Sequence, residues 1–440
     1  MASFLIAVWP FRSHFFPLVG IASALRRRGH HVAFYSGGEA RAVIEGEGFP
    51  LFPFERLDER RVMEIMFQRE EYASMWRPLR FRRFLREWLL GTVPAQVEDL
   101  TAVTRRMNPD VIVSETSMWG PILILRERDS IPVAVFSTVA ACMIPGSNVP
   151  PFGFGLPRPR TAAARLGVSL ANRAVDVFSR GMRQAASASR REHGLPGLPS
   201  SVTAHSGAMD LYLVPSTREF DYERNDLPPT VRYVGPCVWN KTGSEEPPRW
   251  LETLRRPSVH VTEGTMHTQR PVLLEAAARG LGGLPMSVVM TTGGHRRTED
   301  LGLGPLAPNV RVEPWVAHAD LMPRTDVLVS TGGAGTVMTA LAAGVPMVVV
   351  PTEWDKPENA QRVVEAGAGI RLSPGRLTPR RLRLAVETIL GEPRFRESAR
   401  RMARSFASRD GLAEAAQLLE ELAETAKRET GDLLLKQRAM

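Results

Sequence analysis

The sequence predicts two doubly wound α/β domains, each a parallel sheet flanked by helices, facing one another across a cleft. Three observations carry that expectation. Short uncharged apolar runs recur along the chain as buried parallel strands do, beginning with residues 3–9. Segments of 3.6-residue apolar period separate them, as parallel crossovers require. Residues 240–248, Asn-Lys-Thr-Gly-Ser-Glu-Glu-Pro-Pro, are polar, rich in turn formers and without apolar period, so they divide two such series.

The first series opens with the strand at 3–9, a loop over 10–17 and a helix over 18–28. Leu18, Ile21 and Leu25 share one face of that helix. Arg26, Arg27 and Arg28 lie near its end, where the dipole favours cations, and Gly29 follows as the cap. A strand at 31–36 completes a βαβ unit. Strands at 111–114 and 133–137, with a helix over 120–128 between them, and strands at 211–214 and before 237 continue the sheet. The second series reads as strands at 258–262, 286–291, 310–313, 327–330 and 347–350. Its helices fall at 271–279, 336–343, 358–366, 380–390, 393–407 and 412–427, and the polar tail from 428 frays. The domains are therefore 1–238, a linker at 239–256, and 257–392. Helices at 393–427 cross back to the first domain, and 428–440 is a tail.

Composition narrows the function classes. The 440 residues are 43% hydrophobic and 23% charged, and their 36 glycines and 35 prolines follow no period. That excludes disorder and collagen-like chains. The +9 net charge is modest for this length and reads as solvated surface rather than a nucleic-acid signal. Cys142 and Cys237 are far apart and form no CxxC pair. Neither HExxH nor DxD occurs, so no metal and no cofactor are expected. Residues 327–352 lack charge over a bilayer-spanning length. Gly332, Gly333, Gly335, Gly344 and Pro346 inside that stretch favour strand, loop, helix and strand in a buried core. The N-terminus has no basic leader and only a short apolar run, so a cytoplasmic protein is expected.

Three constellations could carry chemistry. The first lies at 330–336, Ser-Thr-Gly-Gly-Ala-Gly-Thr, between a strand and a helix. Glycines there admit a phosphate close to the backbone, and the helix start offers free N–H groups, although a structural glycine turn fits the same pattern. Trp315 and Asp355 fall in the βα loops before and after it. Together they offer an aromatic face for a base and a carboxylate for sugar hydroxyls. The second is His14, in the first βα loop, with Glu115 after the 111–114 strand: a general base and its orienting carboxylate at one sheet edge. Taken alone, such a histidine is more often only part of a loop. The third is 76–90, where Phe81, Phe84, Leu85, Trp88 and Leu89 make an aromatic helix stripe beside five arginines. Core packing is the default reading of that stripe, an acceptor-lining helix the second and an anionic membrane surface the third.

At this point the chain resembles a family. The opening over 14–32 matches an HxxP…RGHxV pattern, 262–266 (Thr-Glu-Gly-Thr-Met) matches a strand-end Gly-Thr segment, and 315–369 carries the loops just described. Nearly the whole chain is similar to the GT-B, nucleotide-sugar-dependent glycosyltransferases of family 1, the UDP-glycosyltransferase superfamily. The likeness is strongest to the bacterial branch acting on macrolides and other natural products. It implies two Rossmann-like domains and an inverting, metal-independent transfer of a hexose to a hydroxyl of a hydrophobic small molecule such as a polyketide, macrolide or phenolic.

Carried over by position, His14 would be the catalytic base and Glu115, where the family usually has Asp, would orient it. Trp315 would stack on the base, with the Val316 backbone reading its edge. Gly333, Gly335 and Thr336 would cradle the diphosphate, Thr265 would line the diphosphate or base region, and Asp355 would bind sugar hydroxyls. Three positions depart from the pattern. Thr331 replaces a histidine that binds a diphosphate oxygen. Thr339 replaces a ribose-binding glutamate of the plant-type box. Lys356 replaces a glutamine at the sugar. The donor stays open between UDP- and dTDP-sugars.

Met63, Met66, Phe67, Trp76, Phe152 and Phe154 are the expected acceptor-lining residues. The expected partners are a nucleotide sugar and a greasy acceptor, with weak peripheral membrane contact through 76–90 as a further reading, in a monomer or homodimer. A GT-B nucleotide-sugar 2-epimerase and a non-catalytic auxiliary partner of a glycosyltransferase are the alternatives.

Overall fold

The computed structural model describes residues 1–68, 78–239, 246–265, 270–294 and 296–438. Its first half is a seven-stranded sheet of β1 (Ser3–Ala7), β2 (His31–Ser36), β3 (Leu51–Pro53), β4 (Val111–Glu115), β5 (Val133–Phe136), β6 (Leu211–Val214) and β7 (Val231–Tyr233). The strands are all parallel, in the order β3-β2-β1-β4-β5-β6-β7. The second sheet holds β8 (Ser258–Thr262), β9 (Ser287–Thr291), β10 (Val310–Glu313), β11 (Val327–Ser330), β12 (Met347–Val349) and β13 (Gly369–Arg371). It too is parallel, in the order β10-β9-β8-β11-β12-β13. Strand order reverses between β1 and β4 in one sheet and between β8 and β11 in the other. The βα loops part company at those two places and leave a crevice, which is where ligands of open α/β sheets bind.

The first βα connection differs from the expected loop at 10–17. The helix runs Arg12–Arg27, so His14 stands in its first turn. Backbone bonds to the Phe11 carbonyl from His14 (2.8 Å) and Phe15 (3.1 Å) start it. Pro17 lies inside the helix, in its second turn, where its missing N–H leaves the Ser13 carbonyl without its helical donor. Two long helices, Val93–Met107 and Ala162–Glu192, have no counterpart in the expected elements. Most of Ala162–Glu192 is solvated; its buried residues are Val168, Ala186, Ser187 and Arg190, too few to give an apolar period.

The helices expected to cross back at 393–427 divide. Pro393–Ala407 stays with the second sheet, its Ala399, Met402 and Phe406 packed among Leu328, Val337, Leu341 and Met347. Gly411–Arg438 returns to the first. Its Ala415, Ala416, Leu419 and Ala423 share one buried cluster with Phe4, Ile6, Leu18, Ile21 and Leu25. Gly20 makes that approach feasible, since a Cβ there would stand 2.8 Å from a Leu412 methyl. The helix continues to Arg438, past residue 428, where a polar tail was expected to start.

Candidate active site

His14 and Glu115 meet at the first sheet's reversal point. β1 and β4 are neighbours, with Ala7 opposite Ser114, so the helix after β1 and the last residue of β4 emerge at one edge. His14 Nδ1 lies 3.2 Å from Glu115 Oε1. Glu115 is fully buried, and its other oxygen accepts the Ser117 N–H at 3.0 Å. With Nδ1–H given to Glu115, His14 Nε2 keeps the lone pair that can take a proton. Phe11 stands edge-on to the imidazole, with ring centroids 5.3 Å apart.

The second sheet supplies the facing wall from its own reversal point. Helix Ala334–Ala342 begins at Gly333, and its first capping bond runs from Val337 N–H to the Gly333 carbonyl at 3.0 Å. The N–H groups of Ala334, Gly335 and Thr336 therefore have no helical acceptor and form an anion-binding start. A Cβ on Gly333 or Gly335 would meet nothing within 4 Å, so this helix end is open in front. Gly332 is the reverse case. Its φ is +91°, and a Cβ would lie 2.7 Å from Val349 Cγ1, so only glycine fits.

Thr331 is buried and its hydroxyl donates to the Glu263 carbonyl at 3.0 Å, tying the β11 loop to the β8 loop. Its one proton is thus engaged inside the protein. Glu263 itself accepts from Leu273 N–H (3.0 Å) and Arg296 Nη1 (3.1 Å), and burial raises its carboxyl above the usual range. Thr265, just beyond, is partly exposed, and Val316 is packed with Leu251, Val289 and Leu321.

Trp315 keeps 47% of its surface open, and the guanidinium of Arg12, reaching over from the first domain, stands 5.7 Å from its ring centroid. Asp355 stands at the N-cap position of helix Lys356–Glu365, its side chain turned to Asn359 rather than to the helix amides. Burial raises its carboxyl pKa, while Lys356, Asn359 and His14 act in the opposite direction. The contact of Arg12, two residues before His14, with the Trp315 ring brings the edges of the two sheets together at one cleft. Lys356 is buried, and that burial lowers its ammonium pKa; Nζ donates to Thr352 Oγ1 at 3.0 Å.

The expected acceptor residues are distributed more widely. Met63 and Met66 pack against the first core cluster, together with Phe81, Leu85 and Trp354. Phe84 and Trp88 of the 76–90 stripe are buried in that cluster, as its default reading has it. Phe152 is half-buried and Phe154 half-exposed, in a separate loop that reaches helix Lys356–Glu365. Trp76 and the Phe67 side chain lie outside the described residues. Among the described residues no group of metal-ligating side chains gathers, and no helix is long and apolar enough to cross a membrane.

Residues 280–422 match the family model described as erythromycin biosynthesis protein CIII-like, C-terminal domain. The 4'-demethylrebeccamycin synthase of Lentzea aerocolonigenes is 34% identical over 96% of this chain and 99% of its own length. The chain belongs to the family 1 glycosyltransferases, in the natural-product branch. Demethyllactenocin mycarosyltransferase of Streptomyces fradiae is 30% identical over 96% of this chain and 87% of its own. The crystal structure of the glycosyltransferase VinC in complex with dTDP shares the GT-B fold, with a TM-score of 0.69, 22% identity and coverage of 96% and 100% of the two chains.

This glycosyltransferase holds four site-edge residues that sequence reasoning did not single out. Arg12 sits over Trp315. Glu263 lies beneath the glycine loop. Asn359 Nδ2 donates both to the Gly332 carbonyl (2.8 Å) and to Asp355 Oδ2 (2.7 Å). Trp354 packs its ring on Phe81, Phe84 and Trp88, at 5.8, 5.3 and 5.8 Å between centroids. The spacing of Asn359, four residues after Asp355 on one helix face, was a usable signal. The other three act across segments distant in sequence, which no local pattern reports.

Proposed function

We propose that this enzyme transfers a hexose from a thymidine or uridine diphosphate sugar to a hydroxyl of a hydrophobic natural-product acceptor, with inversion and without a metal. The observation that carries this reading is the His14–Glu115 pair of one domain, next to Arg12 on the Trp315 ring of the other, whose glycine loop ends in the open helix start at Gly333. His14 Nε2 takes the acceptor hydroxyl proton as its oxygen attacks the anomeric carbon. The bond from that carbon to the diphosphate oxygen breaks on the opposite face, so configuration inverts. Glu115 balances the imidazolium, and the Ala334, Gly335 and Thr336 amides receive the charge that grows on the leaving diphosphate. Trp315 offers the base a stacking face, Asp355 and Lys356 grip the sugar, and Thr265 lines the diphosphate.

Thr331 contributes through the loop it ties down rather than through a phosphate contact. Thr339 supports a thymidine donor, since its hydroxyl donates to the Gly335 carbonyl at 2.8 Å and offers a ribose no carboxylate. The bound dTDP of VinC points the same way. Met63, Met66, Phe152 and Phe154 suit a greasy acceptor.

The test supplies dTDP- and UDP-sugars with a panel of aromatic and macrolide alcohols. The expected result is a β- or α-glycoside of configuration opposite to the donor, formed equally well in chelator. In His14→Ala, transfer should fall by about 10²–10⁴-fold while nucleoside diphosphate binding stays. Transfer that survives in His14→Ala would exclude His14 as the base.

A further inference from the structure

We propose that Asp221, Glu358 and Arg362 form a positioning clamp that fastens the first domain's 142–158 segment to the helix carrying Asp355, and so sets the separation between His14 and the donor sugar. The proposal rests on the glycosyl-transfer reading above. His14 and Asp355 belong to different domains, so their spacing is only as definite as the contact between those domains.

That contact has an apolar part and an ionic part. Ala140 and Phe220 of the first domain join the cluster of Met338, Met402 and Phe406, which resists separation but does not fix an angle. The ionic part is directional. Arg362 gives Nε and Nη2 to Asp221 Oδ1, at 3.0 and 2.9 Å, and Nη1 to Glu358 Oε2 at 2.8 Å. Its guanidinium also lies 4.3 Å from the Tyr222 ring centroid. The second Asp221 oxygen accepts from the Cys142 N–H and the Tyr233 hydroxyl, both at 2.8 Å. Glu358 Oε1 accepts the backbone N–H groups of Gly153 (3.1 Å) and Gly155 (2.7 Å).

Arg362, Glu358 and Asp221 are 5%, 2% and 8% exposed. Buried charges of this kind add little stability over an apolar replacement, but a forked guanidinium between two carboxylates has a definite geometry. The backbones also touch. Gly155 has φ +57°, and a Cβ there would lie 2.4 Å from the Pro357 carbonyl oxygen. Pro357 and Glu358 follow Asp355 and Lys356 directly. The loop bearing Phe152 and Phe154 therefore bears on the first turn of the helix that presents the sugar-binding pair. None of the clamp residues needs to touch substrate; they act by placing those that do.

Arg362→Met and Arg362→Lys test this in the full-length enzyme. The residues proposed to hold the nucleoside diphosphate, Thr265, Trp315, Gly333, Gly335 and Thr336, belong to the second domain, so its affinity, read by calorimetry with dTDP and UDP, should stay within about twofold in both variants. Transfer kcat should fall by about tenfold or more in Arg362→Met and recover in part in Arg362→Lys. The ratio of donor hydrolysis to transfer should rise, because water needs no alignment of the acceptor wall. A folded Arg362→Met with wild-type kcat, or one that loses dTDP and UDP affinity in step with kcat, would overturn the clamp. Hydrogen exchange at the Gly153 and Gly155 amides reads the clamp without substrate: it should quicken in Arg362→Met and in Glu358→Gln, and unchanged protection would also overturn it. A wild-type enzyme inert toward every donor would instead sink the glycosyl-transfer reading, leaving the exchange result to judge the clamp.

Discussion

At Asn359 a single amide serves two loops, holding the Gly332 carbonyl and the Asp355 carboxylate at once. The residue is fully buried, so those bonds are made in a low-dielectric setting where their loss is costly. In Asn359→Ala, affinity for the nucleotide sugar should drop by about tenfold, corresponding to roughly 1–2 kcal/mol for the lost bonds. Nucleoside diphosphate lacking the sugar should lose less, since only the glycine-loop half of the contact serves it. Equal losses with both ligands in a calorimetric titration would show that Asn359 does not act through Asp355. His14, Glu115, Asp355 and the glycine loop were legible because each lies at a strand end, where chain order alone predicts a shared edge. The state of Thr331 was not. A threonine in that slot reads as a phosphate donor until its partner, the Glu263 carbonyl, is known.

Among the elements, the segment from β12 to helix Lys356–Glu365 joins the second domain to the first domain's 78–90 aromatic stripe. Trp354 there has φ +62°, a backbone region that bulky side chains avoid at a cost on the order of 1–3 kcal/mol. Its ring contacts with Phe81, Phe84 and Trp88 offset that strain. Trp354→Gly removes both the strain and the contacts, so the two effects separate by sign. The expected outcome is a lower melting temperature together with a raised acceptor KM and a donor KM close to wild type. A melting temperature above wild type would mean that the strain outweighs the rings. The periodicity of 76–90 gave the buried face correctly through Phe84 and Trp88, which are 1% and 4% exposed. It could not give the partner, because Trp354 arrives from 270 residues further along the chain. The first βα loop was misread for a related reason. Pro17 looks like a helix breaker in sequence, yet the helix runs through it at the loss of one backbone bond, that to the Ser13 carbonyl.

Over the whole molecule, the two sheets were legible down to most strand limits, since buried parallel strands carry an uninterrupted apolar signature. Short β3 and the solvated helix Ala162–Glu192 carry no such signature and were missed. The return of the last helix depends on small residues. Ala415, Ala416 and Ala423 have almost no exposure against the Arg12–Arg27 helix and the first sheet. Ala416→Asp would bury a charge there and should cost about 3 kcal/mol or more, a fall in melting temperature readily seen by calorimetry. An unaffected melting temperature would show that the helix detaches at little cost. Because residues 412–423 seal a sheet begun by residues 3–7, a ribosome that has finished the first domain has not yet delivered the strip that waterproofs it. The nascent chain must shelter that apolar flank through the making of some two hundred further residues, which ties the maturation of the domain that carries His14 to the synthesis of helix Gly411–Arg438.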